Sequence, residues 1–367
     1  MSAKETIYLD YNSTTPIDSR VLQAMMPYLT NEFGNASSST HRLGWVAKNA
    51  VDDAKKTIAN AIGADESELV FTSGATDAIN KAIVGVFELF SGYKNHFITC
   101  ETEHKSVLKA HQYLEKRGAQ ITYLKVDRSG FIDLEELKNS ISENTAMVSV
   151  MMANNETGVI QDIRKIAEIV HNSSSLLFCD AVQAVGKMKV NVDELGIDVM
   201  VVSGHKIYGP KGVGVLYTRR KNPRVKLPSV LHEGTSNVPT IVGMAKAFQL
   251  LDIEKEAAHQ FYLKEELLKG LQALGAVNNI PHSTTLCNTL NIRFPGVKAS
   301  ELISKCSELA FSLGSACNSS NNEPSHVLKA MGLSDSEIKE SFRLSLGRNT
   351  NKLEIDNIVE IFHKLNR

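Results

Sequence analysis

The sequence has no apolar run near the ~20 residues that a membrane-spanning helix needs. Its first residues, MSAKETIYLDYN, have none of the apolar core of a secretory signal peptide. Both absences predict a cytoplasmic protein with no place in a membrane, and make triplets such as Asn12-Ser13-Thr14 chance matches to a glycosylation acceptor. An excess of one charge is missing too. A formal net charge of −1 over 367 residues gives no footprint for strong direct binding to nucleic acid. The five cysteines (Cys100, Cys179, Cys287, Cys306 and Cys317) are odd in number and lack CxxC or Cys/His metal spacing. Reduced thiols and no metal site are the expectation. Four of them sit beside apolar neighbours, as in HFITC and LLFC, and read as small core residues. Cys317 differs, lying in the polar loop SLGSACNSSNNEPS.

What is present is an ordinary globular composition, 43% hydrophobic and 22% charged, long enough for about two domains. A strand at 7–10 leads to a turn at 12–16 and a helix from about Asp18, with Leu22, Met25, Met26 and Leu29 expected to face inward. A long amphipathic helix follows at about 43–62. Strand-like runs then recur at 68–72, 96–100, 120–125, 146–151, 176–179 and 199–202, separated by helical patterns at 75–89, 106–117, 134–140 and 163–170. Such alternation predicts an α/β fold, a mostly parallel sheet covered by helices on both faces, with ligands gathered at the carboxyl ends of its strands. After Tyr217 the pattern weakens. Helices from about Ile241 and over 255–274 lead into strands and helices between 286 and 365, which read as a smaller α+β domain. The expected division is 15–250 for the large domain and 1–14 with 251–367 for the small one.

The stretch 197–217, IDVMVVSGHKIYGPKGVGVLY, organises the rest. Its apolar strand ends at Ser203-Gly204-His205-Lys206, and a lysine at the lip of a buried strand has its charge penalised by desolvation, which favours a nucleophilic or Schiff-base amine. A merely solvated turn lysine is the alternative. Other strand ends carry matching chemistry. Phe71-Thr72-Ser73-Gly74-Ala75-Thr76 is a strand, a Gly turn and a helix start suited to a phosphate, though Thr76 could equally cap the helix. His104 follows the strand ending at Cys100, where an imidazole can stack on an aromatic ring or move protons. Asn154-Asn155-Glu156-Thr157-Gly158 offers amides. Asp180 closes LLFC with Gln183 a turn later; it is either a helix cap or a buried carboxylate that wants a cation. An aromatic aldehyde bearing a phosphate, a ring nitrogen and a ring hydroxyl would satisfy the whole set, and pyridoxal phosphate is that molecule.

Nine stretches in order extend this reading: YLDYNSTTP (8–16), FGNASSSTHRLGW (33–45), FTSGATDAIN (71–80), TEHKSV (102–107), NNETG (154–158), DAVQAVGK (180–187), SGHKIYGPKGVG (203–214), GSACNSSNNEPSHVL (314–328) and RLSLGR (343–348). Together they resemble the cysteine desulfurase family, group I, within the aminotransferase class V group of fold type I pyridoxal-phosphate enzymes. The resemblance implies that Lys206 is the Schiff-base lysine and Asp180 the partner of the pyridinium. Gln183 and Asn155 would lie near the ring hydroxyl, and Ala75, Thr76, Ser203 and His205 would hold the phosphate. His104 would stack over the ring and take part in proton transfer. Arg343, with Asn155, would bind the substrate carboxylate, and Cys317 would be the nucleophile that takes sulfur from L-cysteine as a persulfide and leaves alanine. It further implies a homodimer in which Thr235 reaches the neighbouring subunit's phosphate.

One departure stands out. Where the family carries a Gly- and Arg-rich stretch before its GT-x-N segment, this chain reads LHEGTSNVP (231–239), shorter by roughly eight residues with those arginines gone. The sulfur acceptor is open between an iron–sulfur scaffold, tRNA thiolation and DNA phosphorothioation, the last with DNA contacted through a partner protein. Rival readings are selenocysteine lysis, transamination or another class V reaction, and a weakly active sulfur-transfer scaffold.

Overall fold

The computed structural model describes residues 6–221, 225, 227, 234–281, 284–313 and 324–365. After a short strand β1 (Ile7–Tyr8), the chain builds a seven-stranded sheet from β2 (Leu69–Thr72), β3 (His96–Cys100), β4 (Gln120–Leu124), β5 (Thr145–Ser149), β6 (Leu176–Asp180), β7 (Val199–Ser203) and β8 (Gly214–Thr218). Its order is β2-β8-β7-β6-β5-β3-β4. The pairs from β4 through β7 are parallel, and β8 runs against both its neighbours, so one strand of the seven is reversed.

Strands this apolar must be covered twice. Phe97, Met147, Phe178 and Val201 feed one core, while Ile98, Val148, Leu177 and Val202 feed the opposite one, each set one residue out of step with the other. Each such side chain contributes about 1.5–3 kcal/mol by leaving water. The helices divide accordingly. Ala75–Leu89 and Lys105–Glu115 pack on the first face through Ile79, Ile83, Val107 and Leu114, whereas Leu134–Ser140 and Ile163–His171 pack on the second through Leu137, Ile163 and Ile166. The winding therefore reverses between the neighbours β3 and β5, which opens a crevice at their carboxyl ends.

The remaining strands make two small sheets. One has the order β12-β10-β9, from β9 (Val277–Asn278), β10 (Thr289–Arg293) and β12 (Ser341–Ser345); the other pairs β1 with β11 (Leu309–Ala310). Their core is separate and includes Leu9, Leu263, Leu290, Phe342 and Phe362. No helix among the described residues is long and apolar enough to cross a membrane.

The first long helix corrects one expectation. Ser19–Thr30 starts at Asp18, whose carboxylate accepts from the Arg20 N–H, but Val21 and Met25 are the residues it buries. Leu22, Met26 and Leu29 are 44%, 46% and 55% exposed, so they form a second apolar stripe left uncovered among the described residues. The later helix Val238–Gln249 begins before the predicted Ile241, because Asn237 caps it and Pro239 suits a first turn. A further helix, Asp335–Glu340, escaped the sequence pattern although its capping box of Ser334 and Glu337 marks its start.

Candidate active site

A cavity of about 840 Å³ opens at the carboxyl ends of β3, β5, β6 and β7 and at the start of the helix after β2. Ala75, Thr76, His104, Asn155, Asp180, Gln183, Ser203, His205, Lys206 and Arg343 all line it. Ten residues picked out along the sequence thus meet at one place.

The end near Ala75 is built for an anion. Helix Ala75–Leu89 is preceded by Gly74, which offers no side chain to its first N–H groups. Thr76 is the second helical residue, so the alternative that it caps the helix does not hold. Gly74 has a φ of 145°, open only to glycine, and its turn lies directly on β8. A Cβ on Gly214 would come within 2.8 Å of the Gly74 carbonyl carbon. Gly214 pairs with Ser203 across the sheet, which brings the Ser203 hydroxyl to the same end. His205 belongs there too, its Nδ1 3.1 Å from the Thr14 hydroxyl. Burial, then the charge of Lys206, lowers its pKa to about 4, so the ring is neutral near pH 7.

At the other end, Asp180 closes β6 and is 5% exposed. Its Oδ1 accepts the Val182 N–H at 3.0 Å, and a run of turns follows instead of an α-helix. Burial raises this carboxyl to about 6, against the opposing pull of the Val182 N–H and of Lys206. A carboxylate strained in this way is stabilised by any cation placed against it. Beside it, Glu103 is fully buried and held well above the usual carboxylate range, by desolvation first and by Asp180 second.

His104 caps helix Lys105–Glu115. Its Nδ1 accepts the Ser106 N–H at 3.2 Å, which puts the ring proton on Nε2. Burial, with Lys206 next, lowers its pKa to about 4. Lys206 ends a short 3-10 turn after β7, and its Nζ donates to the carbonyls of Asn12 and Ser13, each at 2.6 Å. Arg343, on β12, is 1% exposed. Its guanidinium donates to Asp10 at 2.5 Å, to the Ser13 hydroxyl at 2.9 Å and to the Asn155 carbonyl at 2.8 Å. Among the described residues its buried Nε has no hydrogen-bond partner.

Sequence reasoning missed the residues that steady these groups. Asn12 is buried and is tied by its backbone N–H to Ser345, by its side chain to Thr289 and by its carbonyl to Gln183 and Lys206. Asp10, Ser13 and His326 were likewise given no role, although they lie within the stretches 8–16 and 314–328 that carry the resemblance. Cys317 lies outside the described residues. Thr235 is exposed and does not line the cavity. Cys100, Cys179 and Cys306 are buried as expected, and Cys287 is half-buried.

The set fits pyridoxal phosphate: a lysine at mid-cavity, an uncapped helix start at one end, and a buried carboxyl in need of a cation at the other. Comparison with known proteins agrees. The Aminotransferase class-V family profile matches residues 7–358. A cysteine desulfurase IscS from Neisseria meningitidis is 44% identical over 98% of this chain and 92% of its own length. Among solved structures, a NifS-like protein superposes with a TM-score of 0.91 at 34% identity, covering 98% of this chain and 99% of that one. The structure titled SspA in complex with cysteine gives 0.83 at 36% identity, covering 93% and 99%. This fold and site define a pyridoxal-phosphate-dependent class V enzyme. The chain belongs, within that class, to the cysteine desulfurase family.

Proposed function

We propose that the cavity desulfurates L-cysteine, with Cys317 receiving the sulfur as a persulfide for transfer to an acceptor protein. The observation that carries this reading is the meeting of Lys206, Asp180 and the open helix start at Ala75 in one cavity. When bound, the cofactor supplies the electron sink that acidifies the substrate's Cα–H bond. Lys206 would carry it, from the lip of β7 inside the cavity. Asp180 keeps the ring nitrogen protonated, because an adjacent cation relieves its burial. Ala75, Thr76, Ser203 and His205 hold the phosphate. Arg343 and Asn155 take the substrate carboxylate, a task suited to a planar guanidinium. His104 would face the ring, its neutral imidazole offering the Nε2–H as a hydrogen-bond donor. The Cys317 thiolate then attacks the substrate sulfur. An S–S bond forms as the Cβ–S bond breaks, and the β-carbon keeps the electron pair and takes up a proton, leaving alanine.

The acceptor belongs to this proposal at the level of a partner protein that accepts sulfur, whether for iron–sulfur assembly, tRNA thiolation or DNA phosphorothioation. A homodimer is part of it. Its support is the uncovered stripe of Leu22, Met26 and Leu29, with Phe33 and Trp45 also exposed, and Thr235 exposed and outside its own cavity. The division into 15–250 and 1–14 with 251–367 is supported by the separate core around Leu263 and Phe342.

Alanine and sulfide release by Cys317→Ala tests the mechanism. Both fall to background with L-cysteine while the visible absorbance of the lysine-linked cofactor persists. Undiminished alanine release in this variant would sink the persulfide step. Loss of that absorbance in Lys206→Ala tests the cofactor lysine separately.

A further inference from the structure

Gln183 lines the cavity with Asn12, one of the two residues that fix its amide; the other, Lys187, is not part of the lining. Its Oε1 accepts from the Lys187 ammonium at 3.1 Å, and its Nε2 donates to the Asn12 carbonyl at 2.9 Å. Lys187 also donates to the Gln183 backbone carbonyl at 3.1 Å, which seats it four residues along the same turn-rich segment. An amide's oxygen and nitrogen look alike in shape, and only their partners tell them apart. Here the partners leave no ambiguity. An ammonium can only donate and a peptide carbonyl can only accept, so a flipped amide would set N–H against N–H⁺ and oxygen against oxygen.

We propose that Lys187 is a positioning residue that locks the Gln183 amide, so that its one uncommitted N–H is what Gln183 offers to the ring oxygen of the cofactor. The proposal rests on the placement of that ring oxygen beside Gln183. Lys187 is absent from the cavity lining and acts through Gln183. Without it, the Asn12 carbonyl alone opposes a turn of the amide that would set its oxygen against the ring oxygen, where two acceptors repel. The Asn12 carbonyl that receives Gln183 also receives Lys206 at 2.6 Å, so the same carbonyl ties the amide lock to the cofactor lysine. Burial lowers the half-buried Lys187 ammonium to about 8, so it is still mostly charged, and a donor, near pH 7.

The test uses the holoenzyme with pyridoxal phosphate as the probe. Lys187→Met keeps an unbranched stem one atom shorter and removes the donor; it weakens cofactor binding about tenfold, as expected for losing a hydrogen bond to a charged oxygen, and moves the absorbance maximum at fixed pH. Lys187→Arg restores both to near wild type. In a Gln183→Leu background, Lys187→Met has no further effect, because the group it acts through is gone. The proposal is overturned if Lys187→Met binds and absorbs as wild type, or if its effect persists in full beside Gln183→Leu. Should Lys187→Met fail to fold, Gln183→Glu decides: it pairs with Lys187 and offers no N–H, so it must weaken binding and shift the absorbance, and an unchanged spectrum overturns the idea. Failure of the site reading itself looks different, since the visible band would then persist in Lys206→Ala.

Discussion

Replacing Asp180 with asparagine sets the needs of the empty protein against those of the loaded one. Asp180 titrates near 6 when folded, against an ordinary 3.8, with burial as the main cause. A raised acid contributes stability that is full below about 3.8 and is lost as pH climbs through about 6, since the unfolded chain gives up its proton first. The difference of about two pH units, at about 1.4 kcal/mol each, comes to ~3 kcal/mol forfeited at pH 7.5. Asparagine keeps the shape and an oxygen for the Val182 N–H, and it carries no charge to desolvate. Apo Asp180→Asn should therefore melt about 4 °C above apo wild type at pH 7.5, given the unfolding entropy of a chain this long, and the gap should close toward pH 4. Adding pyridoxal phosphate should reverse the order, because only the carboxylate gains from a protonated ring nitrogen. Differential scanning fluorimetry across pH 4–8, with and without cofactor, reads all of this. An apo variant that melts below wild type at pH 7.5, or a gap that does not shrink in acid, would refute the burial argument.

Two further outcomes follow from the cavity and the surface. Arg343→Lys should raise the KM for L-cysteine about 30-fold with a smaller change in kcat, since one ammonium replaces a fork that also serves Asp10 and Asn155; steady-state alanine formation checks this, and an unchanged KM would remove Arg343 from carboxylate binding. The pair Leu22→Glu with Met26→Glu should leave the fold intact, because both side chains are exposed in the single chain, and should convert a dimer into monomer in analytical ultracentrifugation. A variant that stays dimeric would move the interface elsewhere.

The parts of this protein that were legible in its sequence are those whose neighbours in space are also neighbours in the chain. The strand pattern located β3, β6 and β7 because each is apolar on both faces, and it located His104, Asp180 and Lys206 because they stand where those runs stop. The helix at Ser19–Thr30 misled for a related reason. Periodicity reports that Leu22 and Met26 are apolar, and it is silent on whether the surface they meet belongs to the same chain. The supports of the site were illegible because they are distant in sequence. No local pattern in Asn12 announces that its carbonyl will meet Lys206, or in Asp10 that it will hold Arg343. Lys187 lay within a quoted motif, but its effect depends on which atom of Gln183 it faces, and spacing does not carry that information.

Asn12 has one more consequence. Its N–H is held by the Ser345 hydroxyl, 333 positions away, while its carbonyl helps to seat Lys206. A protein growing from a ribosome would thus hold the sheet, the helix start at Ala75 and the lysine itself well before the strand that anchors Asn12 had been made. Cofactor capture should be an event of the finished chain, and a nascent chain arrested before β12 should emerge without the visible colour of the bound form.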